Sequence, residues 1–358
     1  MQATRGVARP PGGFGTWINN AHVRAILYQV LTATAVVLVA WYLIHNTMAN
    51  LETRGMSVGF GFLDVVAGFG ISFTLIPYQE GDTYLRVFLV GITNTLLVAV
   101  ISIFLATVLG LVVGLARLSD NWLIRTLART YLEILRNTPL LLQIIAWFFG
   151  VFNLLPRPRD SVVWFELFAL NNRGFYMPAP IPGPGFETVL IALVVAVVFA
   201  VGLKRWAKKR QDATGQPFPA IPVGLATIVV LPMAVFALLG GPLDWDVPAL
   251  QGFNFQGGIA VPPSFCALVV ALSVYTSCFI AENVRSGIQS VSKGQHEAAA
   301  SLNLRPGLTT RLIILPQALR VIIPPTISQY LNVTKNSSLA IAIGFPDLVS
   351  VWMNTSLN

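Results

Sequence analysis

Charged residues are scarce in this sequence. Only 11% of its 358 residues are Asp, Glu, Lys or Arg, and 55% are hydrophobic. An ordinary soluble domain has about 25% charged residues. The mean hydropathy is +0.70. This composition excludes an ordinary soluble protein and predicts an integral membrane protein that is surrounded by a lipid bilayer.

Cysteine and histidine are rarer still. Cys266 and Cys278 fall on one predicted helix, about 18 Å apart along its axis, which is too far for a mutual disulfide. The three histidines, His22, His45 and His296, lie in separate regions without metal-ligand spacing. We therefore expect these side chains to pack or to lie at interfaces, and we expect no metal site.

The sequence contains no phosphate-binding loop of the pattern G-x-x-x-x-G-K-[ST], and no polar segment is long enough for a nucleotide-binding domain. We therefore expect a non-catalytic chain that holds no cofactor and does not hydrolyse ATP by itself. The net charge is +8. Because aromatic residues do not interleave with a basic groove, this charge gives little support to nucleic-acid binding.

Long apolar runs dominate the chain. A helix needs about 20 apolar residues to cross the hydrocarbon core of a bilayer. The first run lacks a small-residue cleavage site, so we interpret it as a retained span and not as a signal peptide. Period-2 alternation does not recur, which predicts an all-α polytopic helical bundle. Seven runs approach this length, the fourth being short: 26–45, 86–115, 131–155, 188–203, 219–240, 259–283 and 317–334.

Basic residues are distributed unevenly among the connecting segments. If the N-terminal tail, residues 1–25, is cytoplasmic, most of the 23 Lys and Arg fall on the inner side, including the cluster KRWAKKR at 204–210. Such a bias follows the positive-inside rule. The basic charge is therefore interpreted as a feature of membrane topology.

The segment EAAASLNLRPGLTTRLIILP, residues 297–316, interrupts the apolar runs with polar residues and a proline. By the alternation of spans it belongs to a cytoplasmic loop at 284–316. Ser292, followed three residues later by Gln295, predicts a capping box at the start of a short helix. The sequence Arg305-Pro306-Gly307 is expected to end this helix.

The short helix has about ten residues, with Ala298, Ala299 and Leu302 on one apolar side. A helix of this length is not stable alone in water. We therefore expect a partner surface, and a merely solvated connecting loop is the alternative.

The same loop resembles a known signature. Glu297-Ala298-Ala299, followed by Ile313, Leu315 and Pro316, is similar to the EAA…I-x-L-P signature of bacterial ABC importer permeases. Asn303 stands where that family usually has glycine, and since Asn tolerates the left-handed conformation we expect the turn to survive. Further segments resemble the polar amino-acid branch, and within it the general L-amino-acid permeases with extra helices: GITNTLLVAVIS at 91–102, YLEILRNTPLLLQ at 131–143, YTSCFIAENVRSGIQSVSKGQHEAA at 275–299 and KNSSLAIAIGFPDL at 335–348.

The resemblance covers roughly half of the chain and implies a type I ABC importer permease core of five helices, in residues 86–155 and 259–358. An extra N-terminal span with its periplasmic loop occupies 26–85, and an insertion with two extra spans and periplasmic loops occupies 156–258. Such an insertion either docks an accessory protein or, more commonly, packs at the periphery. Family chains continue through one more helix beyond about residue 358.

The function that the resemblance implies is that of a permease subunit in an ATP-driven importer of L-amino acids, in the bacterial inner membrane. The EAA helix of such importers docks on a separate ATPase, which binds ATP and magnesium. A periplasmic substrate-binding protein delivers the substrate. The residues implied in coupling are Glu297, Ala298, Ala299, Leu302, Asn303, Ile313, Leu315 and Pro316.

The chain contains one EAA signature and no internal repeat of the core, so a pathway between two halves needs a second homologous permease subunit. This subunit is either another copy of the chain or a related chain, and for this branch of the family we expect a heteromeric partner. The alternative function is a self-contained secondary transporter, which should show inverted repeats and acidic residues at mid-membrane for coupling ions. Neither feature is apparent in the sequence.

Two pairs of charged residues stand at i, i+3 near the predicted inner boundary, Glu133 with Arg136 and Glu282 with Arg285. Each pair can meet on one helix face. They are either local interfacial pairs or a gate in which partners exchange between helices.

Uncharged polar side chains can bind a zwitterion without trapping it. We predict a substrate path at the interface with the partner permease, lined by Gln143, which is placed near the middle of its span, and by Gln329 and Asn332. Ser328, Gln329 and Asn332 form a polar stripe on the otherwise apolar seventh run. Such a stripe must face protein or water, and its alternative role is to join helices by hydrogen bonds. The full set of candidate path residues is Gln143, Tyr275, Thr276, Ser328, Gln329 and Asn332.

Overall fold

A computed structural model describes residues 21–53 and 59–357. They form two compact units. The first comprises the described residues up to Gly68 together with Glu80–Arg86, and the second comprises Phe69–Gln79 and the residues from Val87 onward. The first unit contains helix α1, Ala21–Thr53. None of the side chains described in α1 is buried, as expected for an apolar helix surrounded by lipid.

The long helices that follow α1 correspond to the predicted apolar runs. Among the described residues, six helices are long and apolar enough to cross a membrane, or seven if one bent pair counts as a single span. The predicted all-α polytopic bundle is confirmed. In chain order, the helices after α1, both long and short, are α2 (Tyr84–Ala116), α3 (Trp122–Asn137), α4 (Leu140–Gly150), α5 (Phe186–Thr214), α6 (Ala220–Leu238), α7 (Pro263–Gln289), α8 (Lys293–Ser301), α9 (Pro306–Thr309), α10 (Leu315–Asn336) and α11 (Leu348–Leu357).

The predicted third span, 131–155, is wrong as a single helix. Helices α3 and α4 meet at an angle of 102°. The cause is Pro139, which lacks an N–H and forces the preceding residue out of the helical region; Thr138 is extended, with φ −98° and ψ 124°. The side-chain amide of Gln143 donates to the carbonyls of Leu135 and Thr138, at 2.9 and 3.0 Å. The bend is therefore held by hydrogen bonds.

Helix α7 is the centre of the second unit. Its apolar side chains, such as Leu268 and Leu272, pack in one core with Val98 of α2, Ile144 of α4 and Val333 of α10. Polar residues on α7 are also buried and find local acceptors; the Ser273 hydroxyl donates to the Val269 carbonyl at 2.6 Å. Helix α7 is thus surrounded by the other core helices.

Glycines allow α2 to approach α7 closely. A Cβ atom at Gly110 would lie 2.7 Å from the Ile280 side chain, and one at Gly114 would lie 2.8 Å from the Ala281 carbonyl oxygen. The spacing G-x-x-x-G places both glycines on one face, a pattern that brings membrane helices into backbone contact. Here it sets the distance between α2 and α7.

We predict that Gly114→Ala destabilises the protein by about 1–3 kcal/mol, because the added methyl group overpacks this contact. Thermal unfolding of the purified protein in detergent measures the change. Gly202→Ala in α5 is the matched control, since a Cβ there would meet nothing within 4 Å. A Gly114→Ala protein as stable as the control would contradict the close approach.

The segments on either side of α5 and α6 form short β-strands, which the sequence did not predict. One antiparallel sheet has the order β1-β2-β3-β8. Two further antiparallel pairs are β4-β5, whose strands are separated in sequence by α5 and α6, and the hairpin β6-β7. We call these strands together the β cap. The strands are β1 (Val162–Trp164), β2 (Phe168–Asn171), β3 (Gly174–Met177), β4 (Ala179–Pro182), β5 (Leu243–Asp246), β6 (Ala249–Gln251), β7 (Asn254–Gln256) and β8 (Ile259–Val261).

Strand β8 pairs with β3, with Val261 opposite Phe175, and leads directly into α7. The predicted sixth run, 259–283, therefore begins as a strand and becomes helical at Pro263. The β cap and α8 lie at the two ends of α7, whose 27 residues give a length of about 40 Å. They consequently belong to opposite membrane faces.

Helices α5 and α6 form a hairpin between the two parts of the β cap. Gly224 of α6 lies against Ala200 of α5, where a Cβ would be 3.1 Å from the Ala200 Cβ. Helix α5 is longer than the predicted run 188–203, because it continues through the basic cluster to Thr214. The hairpin packs mainly on itself and leaves most of its side chains exposed.

Candidate functional site

The candidate coupling surface is built on α8 and its two flanking turns. Ser292 precedes the helix, as predicted, with φ −62° and ψ 146°, but its side chain forms no capping hydrogen bond. The predicted capping box is therefore wrong. The Gln295 side chain turns instead to α10, where its oxygen accepts a hydrogen bond from Gln317 at 3.2 Å.

The end of α8 is a Schellman motif. The N–H of Leu304 donates to the Ala299 carbonyl at 3.1 Å, and the N–H of Asn303 donates to the Ala300 carbonyl at 2.9 Å, the two bonds that define this cap. Asn303 has φ +54°, so the expected left-handed turn is confirmed. The prediction that Arg305-Pro306-Gly307 ends the helix is wrong, because Pro306 instead opens α9.

The α8 side chains separate into a buried and an exposed face. Ala299 is 1% exposed and lies on the inward side, whereas Ala298 and Glu297 are exposed. Leu302 is 73% exposed. The predicted shared apolar side is wrong, since Leu302 follows the last helical residue and turns outward. Glu297 forms no ion pair with the residues that the structure describes.

The second half of the signature lies at the start of α10. A π turn, Thr310–Ile314, precedes this helix. Ile314 is buried with Val291 and Ala318, which attaches the loop to the core. Of the signature residues, Ile313 is half-buried, while Leu315 and Pro316 are exposed.

At the same end of α7, Glu282 lies between two arginines. It accepts hydrogen bonds from Arg285, the nearer at 2.5 Å, and pairs with Arg117 at the end of α2. The predicted Glu282–Arg285 pair is confirmed. The pair with Arg117 joins α2 to α7 and was not predicted, because the sequence does not reveal which helices are neighbours.

The predicted Glu133–Arg136 pair is wrong. Glu133 pairs with Arg129 one turn earlier, at 2.7 Å, and Arg136 lies over the Phe279 ring of α7, 5.5 Å from its centroid. A guanidinium over an aromatic face is attracted by the ring quadrupole. The competing partner on α7 explains why the spacing alone misled.

These groups share one pocket of about 390 Å³, between α3 and α7. The exchange of partners between Glu133 and Arg285 stays a hypothesis, because each has another partner in this conformation. The residues that line the pocket are Arg117, Arg129, Leu132, Glu133, Arg136, Asn137, Phe279 and Glu282.

The candidate path residues are not brought together. Gln143 lies in the first turn of α4, not near the middle of a span, and its amide holds the bend. Thr276 is buried in the core, and Tyr275 packs edge-on against Phe279, with centroids 5.0 Å apart. By contrast, the stripe on α10 is open to the outside of this chain: Ser328 and Asn332 are exposed and Gln329 is half-buried.

The sequence did not reveal a set of hydrogen bonds that joins two of its motifs, GITNTL and GFPDL. The side-chain amide of Asn94 donates to the carbonyls of Phe73 and Pro346, each at 2.9 Å. The Thr95 hydroxyl accepts the Leu348 N–H at 3.1 Å. These bonds hold the segment before α11 against α2. The motifs GITNTL and GFPDL were visible, but their contact was not.

A second pocket, of about 450 Å³, lies on the β cap. Three exposed arginines, Arg157, Arg159 and Arg173, line it together with Asp160. The Arg159 guanidinium lies 4.9 Å from the Phe253 ring centroid. None of the three arginines forms an ion pair with the described residues, so the pocket is basic.

We predict that Arg117 and Glu282 are energetically coupled. A double-mutant cycle with Arg117→Met and Glu282→Gln, followed by thermal unfolding, should give a coupling of about 0.5–3 kcal/mol, because both side chains are mostly buried; they are 21% and 27% exposed. The matched cycle uses Arg129→Met and Glu133→Gln, which are 68% and 58% exposed, and should give about 0.3–0.5 kcal/mol. Strict additivity at Arg117 and Glu282 would contradict the prediction.

A family model described as "binding-protein-dependent transport system inner membrane component" matches residues 188–358. Three relatives are similar over nearly the whole chain. The putative amino-acid ABC transporter permease protein YhdX of Escherichia coli is 55% identical and covers 95% of this chain and 86% of its own length. The general L-amino acid transport system permease protein AapQ of Rhizobium johnstonii is 53% identical, over 92% of this chain and 82% of its own.

The third relative is the glutamate/glutamine/aspartate/asparagine transport system permease protein BztB of Rhodobacter capsulatus. It is 39% identical, over 98% of this chain and 89% of its own length. All three similarities include the insertion and the segment around α8.

Proposed function

Since this chain belongs to the family of binding-protein-dependent transport system inner membrane components, we propose that it forms half of a pathway for L-amino acids and couples to a separate ATPase through α8. The chain is a multi-pass permease subunit of an amino-acid ABC transporter. A self-contained ion-coupled transporter is not favoured.

The observation that carries the proposal is the exposed face of α8. Glu297, Ala298 and Leu302 are exposed, whereas the buried side chain of Ala299 packs the same helix against the rest of the chain. A short helix with a fixed inner face and a free outer face is suited to dock on another protein. The small Ala298 permits close backbone approach, and Glu297 offers a charge-assisted hydrogen bond of about 1.5–3 kcal/mol if paired and desolvated.

Movement of the ATPase would pass through α8 into the core. Val291 before α8 and Ile314 after it are buried with Ala318 of α10. The loop is thus packed against the ends of both α7 and α10. In this proposal ATP and magnesium are bound by the ATPase, and the permease contributes no cofactor of its own.

We predict that Glu297→Arg leaves membrane insertion intact but weakens capture of the ATPase and uncouples ATP hydrolysis from uptake. Transport by reconstituted complexes, normalised to ATP hydrolysis, is expected to fall at least about tenfold, the equivalent of one charge-assisted bond lost. The matched control is Asp212→Arg, a charge reversal at an exposed acidic residue of α5 to which the proposal gives no docking role. An assembled Glu297→Arg complex that transports at the wild-type rate would show that Glu297 has no docking role.

We further propose that a second, homologous permease covers α10, and that it is a different chain. Only 17% of the most apolar part of the span that contains α10 is buried. Contact with lipid is unfavourable for the polar stripe on α10, because hydrocarbon offers no hydrogen-bond partners. The substrate path is proposed to run along Gln329 and Asn332 at this interface, because Gln143 serves the bend between α3 and α4.

We predict that Gln329→Leu and Asn332→Leu change the affinity, rate or substrate range of amino-acid uptake at least severalfold at equal membrane abundance, since each removes a polar contact to a zwitterion. Uptake of radiolabelled amino acids measures the effect. Gln211→Leu, at an exposed position of α5, is the control. Unchanged uptake in both α10 variants would leave the stripe as a packing feature.

The proposed orientation places the N-terminus and α8 in the cytoplasm and the β cap in the periplasm. The β cap then faces the substrate-binding protein. Its basic pocket with Arg157, Arg159 and Arg173 suits acidic side chains on such a partner, since opposite charges accelerate and orient association.

A further inference from the structure

Three arginines near the ends of α2, α3 and α7 form ion pairs within the chain, but the basic cluster on α5 forms none with the described residues. Arg117 and Arg285 share Glu282, and Arg129 pairs with Glu133. By contrast, the described residues offer no ion pair to Lys204, Arg205, Lys208 or Lys209, and all four side chains are exposed. These four cations can therefore pair with anions outside this chain.

These four residues lie on one face of α5. At about 100° per residue, Lys204, Arg205, Lys208 and Lys209 fall within an arc of about 140°. Ala207, which is 6% exposed, lies outside this arc. Like charges at i, i+4, as at 204 and 208 or 205 and 209, repel each other. An anion placed over this face would relieve that repulsion.

The depth of the cluster is fixed by the apolar part of α5. The helix begins at Phe186, and the stretch to Leu203 has a length of about 27 Å at 1.5 Å per residue, close to the hydrocarbon thickness of a bilayer. The first cations thus follow directly where the hydrocarbon ends. There Trp206 packs edge-on against Phe218, with centroids 5.4 Å apart, and such aromatic side chains favour the headgroup level.

We propose that the face formed by Lys204, Arg205, Lys208 and Lys209 binds the phosphate headgroups of anionic phospholipids in the leaflet next to α8. Long basic side chains at this depth reach the phosphates while their stems stay on apolar surface. A juxtamembrane basic cluster attracts anionic lipids for the same reason. The hairpin packs mainly on itself, not on the coupling loop. One carboxylate, Asp212, lies a turn after Lys208 on the same face, but it forms no ion pair with the described residues and cannot balance four cations. A layer of anionic headgroups supplies the negative charge that this face lacks.

The test is lipid retention by the purified full-length chain. Native mass spectrometry after exchange into mixed micelles of phosphatidylcholine and phosphatidylglycerol counts the lipids that stay bound. We expect the wild-type chain to retain phosphatidylglycerol in preference, and the variant Lys204→Gln/Arg205→Gln/Lys208→Gln/Lys209→Gln to lose at least about tenfold of that preference. A rise in salt should weaken the wild-type preference, because screening shortens the range of the attraction.

Two controls separate charge from fold and from position. Lys204→Arg/Lys208→Arg/Lys209→Arg keeps the charge and should keep the preference. Arg157→Gln/Arg159→Gln/Arg173→Gln removes exposed arginines at the opposite membrane face and should also keep it. Equal retention by the wild type and the quadruple variant, or a preference that does not respond to salt, would overturn the proposal. So would a quadruple variant that keeps phosphatidylglycerol but loses the ATPase, which would make the cluster a protein-docking surface.

Discussion

The close packing of α7 against its neighbours is the constraint on which the other features depend. Gly110 and Gly114 let α2 come within backbone contact of α7. That distance brings Arg117 of α2 to Glu282 of α7, and the Thr107 hydroxyl of α2 to the Tyr330 hydroxyl of α10, at 2.9 Å. Since α7 connects the β cap to α8, one tightly packed helix links the two membrane faces.

The breaks in the helices are stabilised by hydrogen bonds from buried side chains. A membrane interior supplies no water, so each backbone group freed by a break needs a partner from the protein. At the Pro139 bend that partner is Gln143. Before α11 it is Asn94, which binds two carbonyls from different loops. The side-chain amides of Gln143 and Asn94 therefore stabilise the architecture of the chain at these two breaks.

The sequence was sufficient where the signal was local and strong. Apolar runs predicted the spans, and the presence of Asn at position 303 predicted the left-handed turn there. It was insufficient where tertiary neighbours compete. Glu133 with Arg136 and Glu282 with Arg285 have the same spacing, yet only the second pair forms, because Arg136 finds Phe279 on another helix. The strands of the β cap are only three or four residues long and pair partly with strands distant in sequence, so no periodic pattern announced them.

The distribution of unpaired polar groups then separates internal structure from interfaces. Near the ends of α2, α3 and α7, three arginines form ion pairs with Glu133 or Glu282, and their pocket is a property of this chain. Among the described residues, Glu297 on α8, the arginines of the β-cap pocket and the four cations of α5 form no ion pair, and the stripe on α10 is largely exposed. In the proposed importer, the ATPase, the second permease, the binding protein and lipid would each contact a different surface of this chain. The four polar surfaces named above, all within the described residues, are the ones assigned to these partners.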